Sequence, residues 1–198
     1  LSTLTDLTGQ VSSGVKVDSI SDDVAAGINI MSATDSLSKV DTYQSNVDYG
    51  LSEVDTTEST LTEVSDAIQS MIELVTQASN ATYTADDLKA INEEIESYKD
   101  TILSLVNTEY ADKYIFSGTS TSTAAYSKDK DTGAVTYNGT SSAGEYERKM
   151  QISDGVTVTF NVCGEDVFGY STHTASDGTI VAGKGLFNTI DQITSLLN

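Results

Sequence analysis

The stretch that decides the fold is LSKVDTYQSNVDYGLSEVDTTESTLTEVSDAIQSMIELV, residues 37–75. Apolar residues recur along it at alternating steps of three and four, which is the spacing of a long helix with a coiled-coil-like seam. The first row of this seam is aliphatic throughout and consists of Val40, Val47, Val54, Leu61, Ile68 and Val75. The second row is mixed and consists of Leu37, Gln44, Leu51, Glu58, Ser65 and Ile72.

Intrinsic helix propensity does not explain so long a helix. Its other positions are rich in Ser, Thr and Asp, and Gly50 lies in the middle; all are mediocre or poor helix formers. Ordering the backbone costs about 1–2 kcal/mol per residue, whereas each buried seam residue contributes only about 1.5–3 kcal/mol. The helix must therefore pack against other helices. Aspartate at Val54 or Leu61 is predicted to unfold it, because the charge would be buried without a partner.

A second helix is predicted after a short connection at residues 79–83. Thr84 with Asp87 three positions later fits a capping box, in which two side chains satisfy the first free amides of a helix. Apolar positions then repeat at three and four as Leu88, Ile91, Ile95, Tyr98, Ile102 and Leu105. So short a connection predicts an antiparallel helical hairpin, with the helical pattern ending near Asp112.

Two shorter helices are predicted near the ends of the chain. The apolar residues of the first are Leu1, Leu4, Leu7 and Val11, and those of the last are Leu186, Phe187, Ile190, Ile193, Leu196 and Leu197. Gly14 is a good stop for the first helix. Either Ser19, with Asp22 completing a capping box, or Ser21 then begins the long helix.

Between the helices the composition changes to Gly, Ser, Thr and aromatic residues that alternate with a period of two. Tyr146, Arg148, Met150 and Ile152 form one arm of a predicted hairpin, Asp154-Gly155 forms its turn, and Val156, Val158, Phe160 and Val162 form the other arm. The expected fold class is α+β: an elongated antiparallel helical-hairpin, coiled-coil-like rod domain with a small inserted β-domain. The expected bounds are residues 1–118 and 186–198 for the rod and 119–185 for the β-domain.

The composition excludes several classes of partner. The 198 residues carry a formal net charge of −20, with 30 acidic against 10 basic side chains, so nucleic acid and anionic membranes would repel the chain. This acidity has two possible explanations. It favours solubility, including in salty surroundings, or it prevents self-assembly until counter-ions screen the surface. The single cysteine excludes an internal disulfide.

Motifs that carry chemistry are incomplete, so no catalytic, cofactor-binding or metal-binding residue is predicted. Residues 178–185, GTIVAGKG, lack the Ser or Thr of a phosphate-binding loop. Asp129 begins a stretch like a calcium loop, but Thr140 stands where the final acid is needed. His173 is the only histidine, which excludes a histidine-based triad of metal ligands, and Cys163 has no basic neighbour in sequence to activate it.

Several segments carry a resemblance to a known family. VSSGVKV at 11–17 and SDDVA at 21–25, with Ser13, Gly14, Asp22 and Asp23, resemble the N-terminal signature of flagellin-like axial proteins. NTEYADKYIFSG at 107–118 resembles the corresponding segment of hook-associated protein 3, the FlgL family. The segments at 161–169 and 186–193 resemble that family too. The motif residues in these later segments are Tyr114, Ile115, Phe116, Gly118, Phe168 and Gly169.

The resemblance implies a structural subunit of the bacterial flagellum that joins the hook, through hook-associated protein 1, to the flagellin filament by axial packing. Its implied partners are hook-associated protein 1, flagellin and copies of itself. It also implies an extracellular location reached by type III export without a cleaved signal peptide. Absent terminal segments would form the innermost layer, so the chain is expected to be monomeric. Two alternatives stay open, a filament flagellin and an extracytoplasmic helical sensor domain.

Overall fold

The computed structural model describes residues 2–14, 23–79, 83–141, 145–175 and 178–197. Its helices are α1 (Ser2–Ser13), α2 (Val24–Ala78), α3 (Ala85–Leu105), α4 (Gly164–Phe168) and α5 (Gly185–Leu197). Its strands are β1 (Glu109–Tyr110), β2 (Lys113–Tyr114), β3 (Tyr126–Lys128), β4 (Val135–Tyr137), β5 (Lys149–Ser153), β6 (Val156–Thr159), β7 (His173–Thr174) and β8 (Ile180–Val181). The predicted α+β class is confirmed.

The chain divides into two compact units. The first comprises Leu1–Val47 with Gln151–Val156, and the second comprises Asp48–Met150 with Thr157–Asn198. The predicted division into a helical domain and an inserted β-domain, with bounds at 118 and 185, stays a prediction. Helices and hairpins of the second unit share one hydrophobic core, as shown below.

The first unit shows how its helices end and begin. Gly14 has a φ of +68°, the left-handed conformation in which glycine commonly terminates a helix, and α1 ends beside it at Ser13. At the start of α2 the Oδ1 atom of Asp23 accepts a hydrogen bond of 3.0 Å from the amide of Ala26. Asp23 is therefore the N-cap. The predicted caps Ser19, Ser21 and Asp22 lie outside the described residues.

Helix α3 confirms the predicted capping box. The amide of Asp87 donates to Thr84 Oγ1 at 3.3 Å, and the carboxylate of Asp87 accepts from the amide of Thr84 at 2.9 Å. This pairing also lowers the pKa of Asp87, because the Thr84 hydroxyl and amide both stabilise the carboxylate. The predicted connection at 79–83 lies partly outside the described residues.

We expect Thr84→Ala to lower the free energy of unfolding by about 1 kcal/mol, because it removes the acceptor for one of the free amides of α3. Urea denaturation followed by circular dichroism measures the loss. Thr101→Ala is the matched control, since the Thr101 hydroxyl only bonds the Ser97 carbonyl within the same exposed helix face. An equal loss in both variants would show that the cap is not the cause.

The prediction that helical structure reaches Asp112 is wrong, because α3 ends at Leu105. Just beyond this end the side chain of Asn107 pairs with the backbone of Tyr126, accepting from its amide at 2.8 Å and donating to its carbonyl at 3.0 Å. Ala111 and Asp112 then have φ values of +48° and +59°, as a two-residue turn between β1 and β2 requires. The hydrogen bonds between the Asn107 side chain and the Tyr126 backbone thus form where further turns of α3 were expected.

Within the described residues the strands pair two by two: β1 with β2, β3 with β4 and β7 with β8 are antiparallel, and β5 pairs with β6 across a two-residue turn. The predicted hairpin around Asp154-Gly155 is confirmed, and Gly155 has the left-handed φ of +69° that a tight turn needs. Such short sheets are not stable alone, so each depends on packing against the rest of its unit.

Four aromatic rings, those of Phe116, Tyr126, Phe168 and Phe187, make up the aromatic hub of the second unit. Phe116 and Phe168 meet edge to face with centroids 5.0 Å apart, and Tyr126 lies 5.2 Å from Phe187. All four rings are buried. The same core contains Ile95 and Ile102 of α3, Ile190 of α5, and Ile115, which directly follows β2. The hub therefore joins residues of the predicted rod and of the predicted β-domain in a single core.

Candidate assembly surface

The predicted seam of α2 lies on the outside of the second unit. Here it consists of Leu51, Val54, Leu61, Ile68, Ile72 and Val75, which we call the α2 stripe. Leu51, Val54 and Ile72 are 58%, 43% and 59% exposed, and the other three are half-buried. The polar members of the second row, Glu58 and Ser65, are exposed as well. In the first unit the seam residues Leu37, Val40, Gln44 and Val47 are all exposed.

The seam contacts the core only in part, since Leu61, Ile68 and Val75 pack against it whereas Leu51, Val54 and Ile72 are exposed. In the second unit the buried positions of α2 are Gly50, Glu53, Thr60, Val64, Ala67 and Met71, which form a second heptad row rotated about 100° from the stripe. Sequence reasoning missed this row because it contains glycine, threonine and glutamate. The role of the stripe in assembly stays a prediction, and its exposure leaves it accessible to a partner.

The corresponding residues of α3 lie inside the second unit. Ile91, Ile95 and Ile102 are buried in the core, whereas Leu88, Tyr98 and Leu105 are half-buried. Lys99 on the same helix is also buried, and its ammonium group bonds Asp191 of α5 at 2.5 Å and the Gly133 carbonyl at 3.0 Å. The apolar row of α3 thus packs inside the second unit, and Lys99 links the helix to α5.

An apolar groove opens between α2 and α5, and we call it the α2–α5 groove. It has a volume of about 280 Å³. Its lining residues are Ile68, Met71, Ile72, Val75, Thr76, Ile95, Leu186, Thr189, Ile190 and Ile193. The walls are consecutive turns of two helices and the floor is Ile95 of α3. A groove of this form is typical of surfaces that accept an amphipathic helix.

Hydroxyl groups beside the stripe are satisfied within α2 itself. Thr57 and Thr62 border a shallow depression at Val54 and Leu61, yet their hydroxyls donate to the Glu53 and Glu58 carbonyls at 2.8 and 2.9 Å. A hydroxyl that bonds its own helix presents mainly its methyl group to a neighbour. The stripe therefore offers a wider apolar surface than its aliphatic residues alone suggest.

The exposed surface of α2 in the second unit is acidic. Its exposed carboxylates include Asp48, Asp55, Glu58, Glu63, Asp66 and Glu73. Residues 40–78 contain neither Lys nor Arg. Among the described residues, the only carboxylate of α2 that takes part in an ion pair is Glu53, whose partner is Arg148. This surface consequently carries uncompensated negative charge.

The Glu53–Arg148 pair was not predicted. Glu53 is only 1% exposed, and both of its carboxylate oxygens bond the guanidinium group of Arg148, one of them at 3.3 Å. The guanidinium also stacks over the ring of Phe160 with 4.9 Å to the centroid. Burial and the nearby Glu53 carboxylate together raise the pKa of Tyr49. No local pattern in the sequence indicates this pair, because its two residues are 95 positions apart.

The family-motif residues occupy structural positions. Ile115, Phe116 and Phe168 lie in the core, and Tyr114 is half-buried on β2. Gly118 and Gly169 both have a φ of +66°, and a Cβ at Gly169 would lie only 2.0 Å from the Lys184 carbonyl oxygen. Ser13 is the last residue of α1, Gly14 follows it, and Asp23 is the N-cap of α2. Asp22 lies outside the described residues.

The incomplete chemical motifs serve local structure. Gly183 donates its amide to Thr172 Oγ1 at 2.8 Å, and Lys184 pairs with Glu165 at 2.9 Å. The Oδ1 atom of Asp129 accepts from the amides of Asp131 and Thr132, which closes a turn and lowers the pKa of Asp129. Over the described part of the chain, no three His, Cys, Asp or Glu side chains lie close enough together to hold a metal ion.

The other two residues considered for chemistry, His173 and Cys163, also contact neighbouring groups. His173 Nδ1 lies 3.0 Å from the Ser171 carbonyl oxygen, and its ring meets Tyr170 edge to face. Cys163 is buried with its sulfur 3.8 Å from the Tyr137 hydroxyl. Burial raises the pKa of Tyr137 well above its usual range, as it does for Tyr126 in the hub. In the described ranges, no helix combines the length and hydropathy needed to cross a bilayer.

The Glu165–Lys184 pair gives a pH-dependent prediction. Burial raises the pKa of Glu165, but the hydrogen bonds from Ser141 and Lys184 outweigh it, and the pKa falls below the ordinary value of 4.5. A depressed carboxyl pKa stabilises the folded state above the unfolded pKa, and this stabilisation is lost as the pH falls through the folded pKa. We therefore expect Glu165→Gln to destabilise the protein at pH 7 and to converge with the parent below about pH 4. Urea titrations at pH 3–7 measure this, and a constant difference across the range would contradict it.

The long helix α2, the helices α3 and α5 and the short β-hairpins together define an α+β protein with an extended helical region. The sequence model for the bacterial flagellin N-terminal helical region matches residues 2–121. The chain belongs to this family of flagellar structural proteins.

Relatives named as hook-associated proteins resemble this chain most extensively. The flagellar hook-associated protein 3 of Salmonella typhimurium LT2 is 28% identical over 186 residues, which is 92% of this chain and 56% of that protein. The protein of the same name from Escherichia coli K12 is 32% identical over 122 residues, 61% of this chain and 38% of that protein. A solved structure assigned as a flagellar hook-associated protein from Vibrio parahaemolyticus is 28% identical, with a TM-score of 0.72 over 90% of this chain and 73% of that one.

Flagellins match a shorter part of the chain. The phase 1 flagellin of Salmonella naestved is 33% identical over 95 residues, which is 48% of this chain and 19% of that protein. The predicted resemblance to hook-associated protein 3 is therefore confirmed as a similarity. The chain spans only 56% and 38% of the lengths of the two hook-associated relatives it matches.

Proposed function

We propose that this chain is a structural subunit of the hook–filament junction, which joins the hook, through hook-associated protein 1, to the flagellin filament by axial packing. The observation that carries the proposal is the extent of the similarity. Relatives named hook-associated protein 3 match up to 92% of the chain, whereas a flagellin matches 48% of it. The part of the chain that flagellin does not match would distinguish a junction subunit from a filament subunit.

Within the second unit, one set of residues of α2 packs in the core and another set is exposed, which supports the proposal. The buried row of α2, with α3, α5 and the aromatic hub, holds the helix in place from one side. The exposed residues of the α2 stripe, Leu51, Val54 and Ile72, remain available for packing against axial neighbours. The proposed assembly residues are those of the α2 stripe and, in the first unit, Leu37, Val40 and Val47.

The proposal includes location and partners. The protein lies outside the cell in the flagellum, exported by the type III route without a cleaved signal peptide, and its partners are hook-associated protein 1, flagellin and further copies of itself. It needs no cofactor and catalyses no reaction. The isolated chain is monomeric at low ionic strength because its surface charge of −20 opposes self-association.

Immunogold labelling of the full-length protein on intact flagella tests the proposal. Gold confined to the boundary between hook and filament is the expected result. Gold along the entire filament would identify a filament flagellin instead, and gold at the cell envelope would identify a sensor domain. Deletion of the gene provides a second measurement: hooks without filaments should remain, and flagellin monomers should accumulate in the medium.

A further inference from the structure

We propose that Asn138 is a site of spontaneous covalent modification. Its side-chain amide is lost through a cyclic succinimide when the chain around β4 is open, and the folded second unit protects it. The products are aspartate and isoaspartate, and the only reagent is water. This chemistry takes place within one chain, so it does not depend on the proposed function.

The residue that follows Asn138 makes it reactive. It is Gly139, and no other asparagine of the chain precedes a glycine. Deamidation begins when the backbone nitrogen of the following residue attacks Cγ of the asparagine side chain. Glycine has no Cβ to hinder this approach, and its backbone adopts conformations that other residues avoid. Asn138 is therefore the most reactive asparagine of the unfolded chain.

The atoms of the reaction balance with water as the only co-reactant. The Gly139 nitrogen forms a bond to Cγ of Asn138, the bond from Cγ to Nδ2 breaks, and ammonia leaves with the proton of the Gly139 amide. Water then opens the succinimide at one of its two carbonyl carbons. Opening at Cγ gives aspartate, whereas opening at the backbone carbonyl carbon gives isoaspartate, whose main chain runs through Cβ and Cγ and is one atom longer. Both products add a negative charge.

The fold holds the backbone on both sides of the reactive peptide. The Asn138 amide donates to the Ala125 carbonyl at 2.9 Å, and the Thr140 amide donates to the Ser117 carbonyl at 3.1 Å. The succinimide ring closes only in a narrow range of backbone angles, so the peptide between Asn138 and Gly139 must be free to rotate. Because hydrogen bonds fix the chain directly before and after this peptide, the attack requires local opening of the unit.

The side chain of Asn138 is held as well, although the residue is exposed. It follows the last residue of β4, and its Nδ2 atom donates to Ser127 Oγ on β3 at 3.0 Å. Aspartate at this position can accept a hydrogen bond from the same hydroxyl. Isoaspartate cannot replace asparagine in this way, because its longer main chain displaces one of the two flanking amides from its acceptor. Chains that contain isoaspartate should therefore fail to refold the β3–β4 hairpin.

The folded state also explains why the reactive pair contains glycine. A Cβ at Gly139 would lie 2.7 Å from the Ser117 carbonyl oxygen and would collide with the Tyr137 hydroxyl. That hydroxyl is fixed, since it donates to the Phe116 carbonyl at 2.9 Å. The close packing that requires glycine in the folded chain thus leaves a labile asparagine in the unfolded chain.

Peptide mapping by mass spectrometry tests the proposal on the full chain, folded in buffer or unfolded in 6 M guanidinium chloride, both at pH 7.4 and 37 °C. The mass shift from amide to acid at residue 138, less its value at time zero, measures the conversion. We expect the conversion to be at least about tenfold faster in the unfolded chain, because the folded chain reacts only through its open fraction. Peptides with Asn107 and Asn188, each followed by threonine, are internal controls and should remain unmodified.

Variants separate the chemistry from its protection. Gly139→Ala, measured in guanidinium chloride where its folding does not matter, should slow the conversion strongly. Ser127→Ala should speed the conversion in the folded chain only, since it removes the partner of Nδ2. Thr136→Ala is its matched control, because it removes the other hydroxyl partner of Ser127, at 3.0 Å, and leaves Asn138 bonded.

Refolding provides a second readout. After increasing times in guanidinium chloride, the parent should refold in decreasing yield, and isoaspartate at 138 should concentrate in the fraction that stays unfolded. Asn138→Gln, whose side chain is too long to close the five-membered ring, should refold in constant yield. Equal conversion in the folded and unfolded chains would refute the protection. An unfolded chain that keeps its amide at residue 138 as long as those at 107 and 188 would refute the modification itself.

Discussion

Val64→Asp should unfold the second unit, whereas Val54→Asp, ten residues earlier on the same helix, should leave its stability within about 1 kcal/mol of the parent. Val64 is 3% exposed on the buried row of α2, and Val54 is 43% exposed on the α2 stripe. A carboxylate at 64 would lose its hydration without gaining a partner, which costs about 4 kcal/mol or more. The carboxylate at 54 stays in water.

Urea denaturation monitored by circular dichroism at pH 7 measures both variants, and Val64→Ala provides the control for lost packing without charge. We expect the order of destabilisation to be Val64→Asp, then Val64→Ala, then Val54→Asp. If Val54→Asp were as destabilising as Val64→Asp, the stripe would be part of the core, as the heptad pattern alone suggested.

The choice between the two faces of α2 shows where the sequence pattern misleads. Periodicity favours the heptad row with the most aliphatic residues as the internal seam, yet only Leu61, Ile68 and Val75 of that row pack against the core. The buried row instead contains Glu53 and Thr60, whose polar atoms are satisfied by Arg148 and by the Thr56 carbonyl at 2.9 Å. Periodicity measures hydrophobicity and does not record which polar groups find partners elsewhere in the fold.

Local signals were more reliable than tertiary ones. The capping box at Thr84 and the turn at Asp154-Gly155 depend on residues within a few positions of one another, and both were predictable. The end of α3 depends on Asn107 pairing with Tyr126, nineteen residues away. The residues around Leu105 do not indicate this long-range pairing. The same holds for the position of Arg148 beside Glu53, a separation of 95 residues.

The family motif gains a physical explanation from the hub. Phe116 and Phe168 lie in segments predicted to belong to different domains, yet their rings meet at 5.0 Å. Gly169 brings the backbone after α4 against the Lys184 carbonyl, directly before α5, where no side chain would fit. The segments that resemble hook-associated protein 3 are thus those that join hairpins and helices into one unit. Such a unit holds α2 so that its stripe can face outward.

The buried ion pair yields the second large effect. Glu53→Met or Arg148→Met alone should lower the free energy of unfolding by about 3–5 kcal/mol, because each leaves one buried charge without its partner. Glu53→Met combined with Arg148→Met should recover most of that loss, since it removes both charges and fills the space with apolar groups. The residues lie on α2 and just before β5, so the single variants should also loosen the β5–β6 hairpin.

A double-mutant cycle at pH 7 in urea measures the coupling between the two side chains. The exposed pair of Glu147 and Lys149, with 2.9 Å between charged atoms, is the matched control, and Glu147→Gln should cost less than about 1 kcal/mol. Hydrogen exchange at residues 149–159 reports the hairpin separately. Losses below 1 kcal/mol for both single variants would mean that water solvates the pair. A double variant no more stable than the singles would mean that Arg148 acts through its stacking on Phe160 and not through its charge.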